Sequence, residues 1–165
     1  MLEDSLTYKL TSIAEDAIGG AETLFRGRFG LDVRTLRVLR LIDDRPGTTF
    51  TELTLRTKFE RSATSRLLAQ LIKTGLVRRR IDPRDARHFK LYATAAGKAL
   101  RARADPLTQA LEGLMLAPLS DAERRRFMTT LDKILAWIGG GYGPEMHSRF
   151  PDARKGKAQG ARRGP

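Results

Sequence analysis

The hydrophobic period of this chain changes at Gly75, and that change limits the folds open to it. Before Gly75, apolar residues recur every three or four positions, as in an amphipathic helix. After it come two short runs with strand character, residues 76–81 and 88–93, and apolar and polar residues alternate along the second. The six residues 82–87 form a polar turn between the runs. We therefore predict a helix that leads directly into a β-hairpin.

Further helices are predicted on both sides of this hairpin. Before it, the pattern predicts helices over residues 6–25, from an Asp32 cap to about residue 44, from a Thr51 cap to about residue 59, and over residues 62–74. After it, Thr94 is expected to cap a long helical region that Pro106 kinks or splits. Ser120 opens a capping box for a last helix through residue 138. From residue 139 to 165 we predict a basic, disordered tail.

The helix over residues 62–74 has two unlike faces. At about 100° per residue, its apolar side chains and Thr64 spread over one side. The opposite arc is small, hydroxylated or basic and consists of Ser62, Ser65, Arg66, Ala69 and Lys73. The helix carries no acidic residue, so this arc suits contact with a polyanion.

The positive charge of the chain is concentrated around the same segment. The net charge is +12, and residues 61–90 alone contribute +7, whereas residues 1–60 contribute −1. Residues 91–138 add +2 and residues 139–165 add +4. A charge run is often only a solvated face, but here it coincides with a helix and hairpin, and this favours nucleic acid as the partner.

Two short helices followed by a basic hairpin are typical of a winged helix-turn-helix, which places its second helix in the major groove. The fold class we predict is mainly α with a small β-hairpin wing (α+β). The expected contacts to double-stranded DNA are, in the recognition helix, Arg61, Ser62, Thr64, Ser65, Arg66 and Lys73, and, in the wing, Arg78, Arg79, Arg80, Arg84, Asp85 and Arg87. Arg66 could bind a guanine edge bidentately, or be a plain exposed cation; Ser62 could be only a helix cap.

A spaced motif in the wing carries a family resemblance. Asp85-Ala86-Arg87, followed by Thr94 and Gly97, resembles the signature of the MarR family of bacterial transcriptional regulators. Residues 61–66 and 76–79 are similar to the recognition helix of that family and its exit into the wing. The resemblance covers residues from about 5 to 138.

The resemblance implies an obligate homodimer in the bacterial cytoplasm, at the nucleoid, with residues 1–30 and 94–138 as dimerisation helices and residues 31–93 as the DNA-binding domain. Arg87 would enter the minor groove and Asp85 would hold it by an ion pair, although Asp85 could be only a turn former. Thr94 and Gly97 would start the next helix close against the wing. Apolar terminal helices beside a small module also favour a dimer from the residues alone.

Relatives in this family commonly respond to a small ligand. We predict that the ligand is an aromatic acid or its coenzyme A thioester, and that Phe25, Phe29, Arg34 and Arg37 hold it. The simpler interpretation of these four residues is that they belong to the core or to the solvated surface. The chain has no Cys, which argues against peroxide sensing, and its two His residues are far apart, which argues against zinc sensing.

Other classes of function are weaker. No nucleophile–base pair, phosphate-binding glycine loop or metal spacing is present, so an enzyme, a cofactor and a metal site are not expected. No apolar run is long enough to predict a membrane span. The main alternative is a non-specific architectural protein that binds DNA or RNA, and a low specificity ratio would distinguish it. The expected role is that of a repressor, although the residues themselves do not distinguish repression from activation.

Overall fold

The predicted helices and hairpin follow one another in the predicted order, and a two-residue strand and a short last helix are present in addition. The computed structural model describes residues 1–82 and 85–151 of the chain. After a 3₁₀ turn at Leu2–Asp4, its elements are α1 (Leu6–Phe29), α2 (Val33–Asp44), β1 (Thr48–Thr49), α3 (Phe50–Thr57), α4 (Arg61–Lys73), β2 (Val77–Asp82), β3 (Asp85–Ala93), α5 (Ala95–Met115), α6 (Asp121–Gly140) and α7 (Tyr142–Arg149). The predicted fold class, mainly α with a small β wing, is confirmed.

Local capping chemistry sets most helix boundaries. Asp32 caps α2 as predicted, because its carboxylate accepts a hydrogen bond from the Thr35 amide at 2.6 Å. Ser120 and Glu123 form the predicted capping box of α6. The end of α1 was predicted too early, since the helix continues through Gly27 and ends at Gly30, whose φ of 69° is left-handed.

The start of α3 also differs from the prediction. Thr49, not Thr51, caps the helix, and Glu52 completes a reciprocal capping box with it. The Glu52 carboxylate accepts hydrogen bonds from the Thr49 amide at 2.7 Å and from the Thr49 hydroxyl at 3.0 Å. These bonds, the backbone one foremost, lower the pKa of Glu52 below its ordinary value.

The sheet contains a strand that the sequence pattern does not show. Its order is β1–β3–β2, and both pairings are antiparallel. β1 is two residues long, and the amide of Gly47 just before it donates to the carbonyl of Leu91 at 2.8 Å. β1 therefore ties the wing hairpin to the start of α3.

The core lies between α2, the helix-turn-helix and the root of the wing. Leu36, Leu39 and Ile42 on one face of α2 are fully buried, together with Leu53 of α3 and Leu71 of α4. The buried residues of α2 follow one another at helical spacing, as the sequence pattern predicts. Helix α2 thus supports both helices of the DNA-binding motif.

Helix α5 passes through Pro106 without a break, so of the two predicted outcomes, a kink or a split, the split is wrong. A proline removes one backbone donor from a helix. On either side of it, Ala104 is fully buried and Leu107 packs against the core. We attribute the continuity to this packing, which offsets the missing hydrogen bond.

The chain divides into two units, residues 1–115 and residues 116–165. The second contains α6 and α7, and α7 occupies positions where a disordered tail was predicted to have begun. That part of the prediction is wrong for residues 142–149. The remainder of the predicted tail, from residue 152, lies outside the described residues.

Candidate nucleic-acid interface

The turn between α3 and α4 is built by two buried threonines and one left-handed residue. Lys58 has a φ of 58°, which reverses the chain after α3. The hydroxyls of Thr57 and Thr64 lie 3.1 Å apart, and the Thr64 hydroxyl also donates to the carbonyl of Glu60. These bonds satisfy polar groups inside the motif and hold α4 at its angle to α3.

Thr64 is therefore not available to DNA. Its exposed fraction is 0%, so the prediction that it contacts DNA is wrong. The physical reason is that the residue is fully buried and its hydroxyl already bonds inside the protein. Thr64 positions α4 instead.

The rest of α4 divides as the helical wheel predicts. Leu68 and Leu71 are buried, whereas Ser62, Ser65, Arg66 and Lys73 are exposed, together with Arg61 at the first position. Glu60 is the N-cap residue but makes no side-chain cap, so Ser62 is not the cap. The exposed face of α4 is hydroxylated and basic along its whole length.

Arg61 is held in place by an aromatic ring. Its guanidinium lies 4.8 Å from the centroid of Phe50, a cation–π contact. Phe50 is the first residue of α3, so the two helices of the motif meet through this pair. The contact leaves the guanidinium exposed at the N-terminal end of α4.

The three successive arginines of β2 do not share one face. In the β2–β3 register, Arg79 lies opposite the buried Leu91, while Arg78 and Arg80 lie opposite Tyr92 and Lys90. Successive strand residues point to opposite faces. Arg79 is therefore on the inner face, which is turned toward α4, and Arg78 and Arg80 are on the outer face.

A crevice opens between α4 and the inner face of the wing. It has a volume of about 210 Å³ and is lined by Phe50, Ser65, Leu68, Arg79, Phe89 and Leu91. Its walls combine two aromatic rings with one hydroxyl and one guanidinium. Such a lining can hold a flat apolar group that carries a negative charge.

The root of the wing is closed by Thr94 and Gly97. The Thr94 hydroxyl donates to the Gly75 carbonyl at 2.7 Å and accepts from the Gly97 amide at 3.1 Å. A Cβ atom at Gly97 would lie only 2.2 Å from the carbonyl oxygen of Leu76. Glycine is therefore required for α5 to begin this close to the strand.

An ion network fastens α2 to α5. Arg40 contacts Asp105 at 2.6 Å and donates to the Thr108 hydroxyl at 2.7 Å. Arg101 contacts Asp44 at 2.6 Å and Asp43 at 3.0 Å. Burial opposes the charge of Arg101, but the surrounding carboxylates outweigh it and raise its pKa.

The four residues predicted to hold a ligand do not form one pocket. Phe25 is buried in the core, with its ring 5.6 Å from that of Phe29. Arg34 and Arg37 instead lie over the ring of Phe59, at 6.0 and 5.6 Å from its centroid. None of the four lines the crevice, so the ligand site predicted from sequence is not assembled in this structure.

Part of the predicted wing contact cannot be placed. Arg84, and the side chains of Asp85 and Arg87, lie outside what the structure describes. Arg78, Arg79 and Arg80 are all exposed. Their role in DNA binding stays a prediction.

Within residues 1–82 and 85–151, no group of His, Asp and Glu side chains is arranged to hold a metal ion. None of the helices in that part is long and apolar enough to cross a membrane.

Comparison with known proteins decides the family. A model described as the MarR family matches residues 29–88. Transcriptional regulator HosA of Escherichia coli O111:H- is 32% identical over 98 residues, which are 59% of this chain and 73% of that protein. The chain belongs to the MarR family.

Solved MarR-family structures extend the match beyond residues 29–88. A MarR-family regulator from Silicibacter pomeroyi is 30% identical, with a TM-score of 0.70 over 84% of this chain and 92% of that one. Rv2887 of Mycobacterium tuberculosis, in complex with p-aminosalicylic acid, is 25% identical, with a TM-score of 0.67 over 79% and 98% of the two chains. This MarR-family chain is a transcriptional regulator and not an enzyme.

Two features of the site of this MarR-family chain were not predicted from its sequence: the aromatic rings that contact arginines, and the face of β2 on which each arginine lies. Phe50 and Phe59 read as ordinary apolar positions, yet each is a platform for arginine. The register that separates Arg79 from its neighbours could have been read from the alternation along the strands. The contacts of Phe59 with α2 could not, because they join distant parts of the chain.

Proposed function

We propose that this regulator is a homodimer that binds a pseudo-palindromic operator in double-stranded DNA at the nucleoid and represses transcription. One observation carries the proposal. Among the described residues, the exposed cations Arg61, Arg66, Lys73, Arg78 and Arg79 on α4 and β2 have no carboxylate within 4.0 Å. Elsewhere in the described part of the chain, Arg26, Arg40, Arg101 and Arg149 are paired with carboxylates. Exposed cations without carboxylate partners on α4 and β2 suit the phosphates and base edges of a major groove.

Exposed apolar residues support the dimer. On α1, Leu6, Leu10, Ile13 and Leu24 are exposed at helical spacing. On α6, large apolar side chains including Leu135, Trp137 and Ile138 are more than half exposed. Apolar stripes of this kind are usually covered by a partner, and a second copy would place two α4 helices on half-sites about 10 base pairs apart.

The crevice beside α4 is the effector site that we propose. It offers Arg79 to a carboxylate, Ser65 to a hydroxyl or amine, and the rings of Phe50 and Phe89 to an aromatic ring. Its volume of about 210 Å³ is below the roughly 300–1,000 Å³ of pockets for drug-sized ligands. This favours a small aromatic acid over its coenzyme A thioester, and the relative that binds p-aminosalicylic acid shows that such ligands occur in the family.

Occupancy of the crevice would act on DNA binding by a population shift. A ligand wedged between α4 and the inner face of the wing stabilises only those conformations in which the two stay apart. If those conformations misplace α4 relative to its half-site, the ligand and the operator oppose one another. The expected response is release from DNA.

The DNA-binding proposal is tested with a duplex selected from a random pool by the wild-type protein and a scrambled duplex of the same composition. Wild type is expected to prefer the selected duplex strongly, and Arg66→Ala to lose affinity for it selectively. Arg103→Ala is the control, because Arg103 is exposed and belongs to α5, which is not part of the proposed interface. Equal affinity for both duplexes would instead favour the architectural alternative.

The effector proposal is tested on the DNA-free protein with p-aminosalicylate by calorimetry. Arg79→Met removes the guanidinium from the crevice, and we expect at least tenfold weaker binding, about 1.4 kcal/mol. Arg78→Met is the matched control, since Arg78 is on the outer face of the same strand. If both variants bind p-aminosalicylate as wild type does, the crevice is not its site.

A further inference from the structure

The guanidinium groups of Arg34 and Arg37 lie over the ring of Phe59, beside the N-terminal end of the recognition helix α4. Arg34 and Arg37 project from the first turns of α2, and their guanidinium carbons lie 6.0 and 5.6 Å from the centroid of this ring. Phe59 belongs to the turn that immediately precedes Arg61, the first residue of α4. Two elements distant in sequence thus meet at the end of α4 that carries Arg61.

The arginines of α2 fall into two classes by their partners. Arg40, farther along the helix, is half-buried and paired with Asp105. Arg34 and Arg37 are exposed, and within the described part of the chain neither has a carboxylate within 4.0 Å. Their charge is therefore not used within the described fold.

The nearby carboxylates do not neutralise this pair. Asp32 caps α2 through the Thr35 amide and contacts Arg26 at 3.5 Å. Asp43 and Asp44, at the other end of α2, are paired with Arg101. The N-terminal end of α2 thus presents two uncompensated guanidinium groups.

We propose that Arg34 and Arg37 bind the DNA backbone, holding phosphates that flank the groove entered by α4. This inference rests on the proposed DNA-binding function and assigns it a second element, α2. A helix-turn-helix presents the N-terminal residues of its recognition helix to the bases, so phosphates at the rim of the groove lie beside that end. Contacts to phosphate and sugar make up half or more of protein–DNA hydrogen bonds, and they set the orientation of the protein.

The aromatic platform suits this role. A guanidinium stacked on a ring keeps its N–H edge free, and that edge can bind a phosphate through two parallel hydrogen bonds. The ring also limits the conformations of two long side chains, so less entropy is lost when they bind. Phe59 is in this view a positioning residue, and the arginines are the contacts.

This proposal gives Arg34 and Arg37 a role other than the ligand site predicted from sequence. Phe25 is buried, and the only aromatic ring that the described structure places near the two arginines is Phe59. Two exposed guanidinium groups over one partly buried ring form an open surface rather than an enclosed pocket. A phosphate backbone fits such a surface better than a small aromatic acid does.

The test compares Arg34→Gln/Arg37→Gln with Arg103→Gln, an exposed arginine of α5 outside this cluster. Affinities for the selected and the scrambled duplex are measured by fluorescence anisotropy over a salt series. For the double variant we expect a loss of roughly tenfold or more on both duplexes. We also expect the slope of log K against log salt to become shallower by about 1.8 per protomer, as the loss of two phosphate contacts requires. Arg103→Gln should match wild type.

A second variant, Phe59→Leu, distinguishes the positioning effect of the aromatic ring from the electrostatic effect of the two arginines. It keeps both arginines, so the salt slope should stay near the wild-type value while affinity falls severalfold on both duplexes; circular dichroism checks that it folds. Unchanged affinity and slope in the double variant would overturn the proposal. So would a loss of the response to p-aminosalicylate with DNA affinity unchanged, since that result would place the arginines in an effector site. If wild type itself shows no preference for the selected duplex, the proposed function fails, and this outcome is distinct from the others.

Discussion

Gly97 is the position where the fold leaves least room, and Gly97→Ala is the sharpest test of its packing. The added Cβ would lie 2.2 Å from the Leu76 carbonyl oxygen, 3.1 Å from its carbon and 3.2 Å from Cδ1 of Leu39. A C···O contact needs about 3.3 Å, so α5 and the start of β2 must separate by about 1 Å. The obstacle is backbone and cannot rotate away.

The cost follows from the contacts that this separation disturbs. Overpacking a tight site typically costs about 1–3 kcal/mol, and the hydrogen bonds of Thr94 to Gly75 and Gly97 add up to about 1 kcal/mol each if they are strained. We expect a loss of about 2–4 kcal/mol, which corresponds to a Tm lower by roughly 5–15 °C. Thermal unfolding followed by circular dichroism measures it.

Gly19→Ala is the matched control for this measurement. Gly19 is exposed within α1, and a Cβ there meets nothing within 4 Å. Alanine is the better helix former, so the variant should gain about 0.5–1 kcal/mol. The reasoning about the wing root is refuted if Gly97→Ala melts at or above the wild-type temperature.

Three other predictions concern the scaffold. Arg101→Met leaves the carboxylates of Asp43, Asp44 and Asp105 facing one another, and chemical unfolding should show a loss of about 1–3 kcal/mol; an unchanged midpoint would show that the network contributes nothing. The folded-state pKa of Glu52 is lowered from 4.5, so its contribution to stability is present well above pH 4.5 and is lost as the pH falls below that value. As the pH is lowered through this range, the Tm of wild type should therefore fall more steeply than the Tm of Glu52→Gln. Parallel curves of Tm against pH would contradict this. Thr64→Val removes a buried hydroxyl that bonds inside the motif, and chemical unfolding should show a loss of about 1–2 kcal/mol. An unchanged unfolding midpoint would show that these bonds do not stabilise the motif.

Much of the fold could be predicted from the sequence because its signals are local. The caps at Asp32, Thr94 and Ser120 act within a few residues, and the change of period at Gly75 marks the step from helix to hairpin. The elements that sequence reasoning missed depend on distant contacts. The strand β1 is only two residues long and exists through its pairing with β3. In α5, the packing of the residues on either side of Pro106 offsets the helix-breaking tendency of this proline.

The location of the site could be predicted from the sequence, but which of its side chains face inward and which face outward could not all be predicted. The basic helix and hairpin were evident from composition, whereas the inward position of Thr64 depends on a hydroxyl pair with Thr57. Strand alternation, which separates Arg79 from Arg78, follows from the register of the hairpin. The contact of Arg37 with Phe59 joins two elements far apart along the chain, and no local pattern reports it.

The central claim is that the unpaired cations of α4 and the wing serve sequence-specific recognition of DNA. The most direct measurement is the ratio of the wild-type Kd for the scrambled duplex to that for the selected duplex, at one fixed salt concentration near physiological. A sequence-specific regulator should give a ratio of about 10³ or more. A ratio near one, with tight binding to both duplexes, would contradict the claim and identify the charge of α4 and the wing as a non-specific polyanion surface.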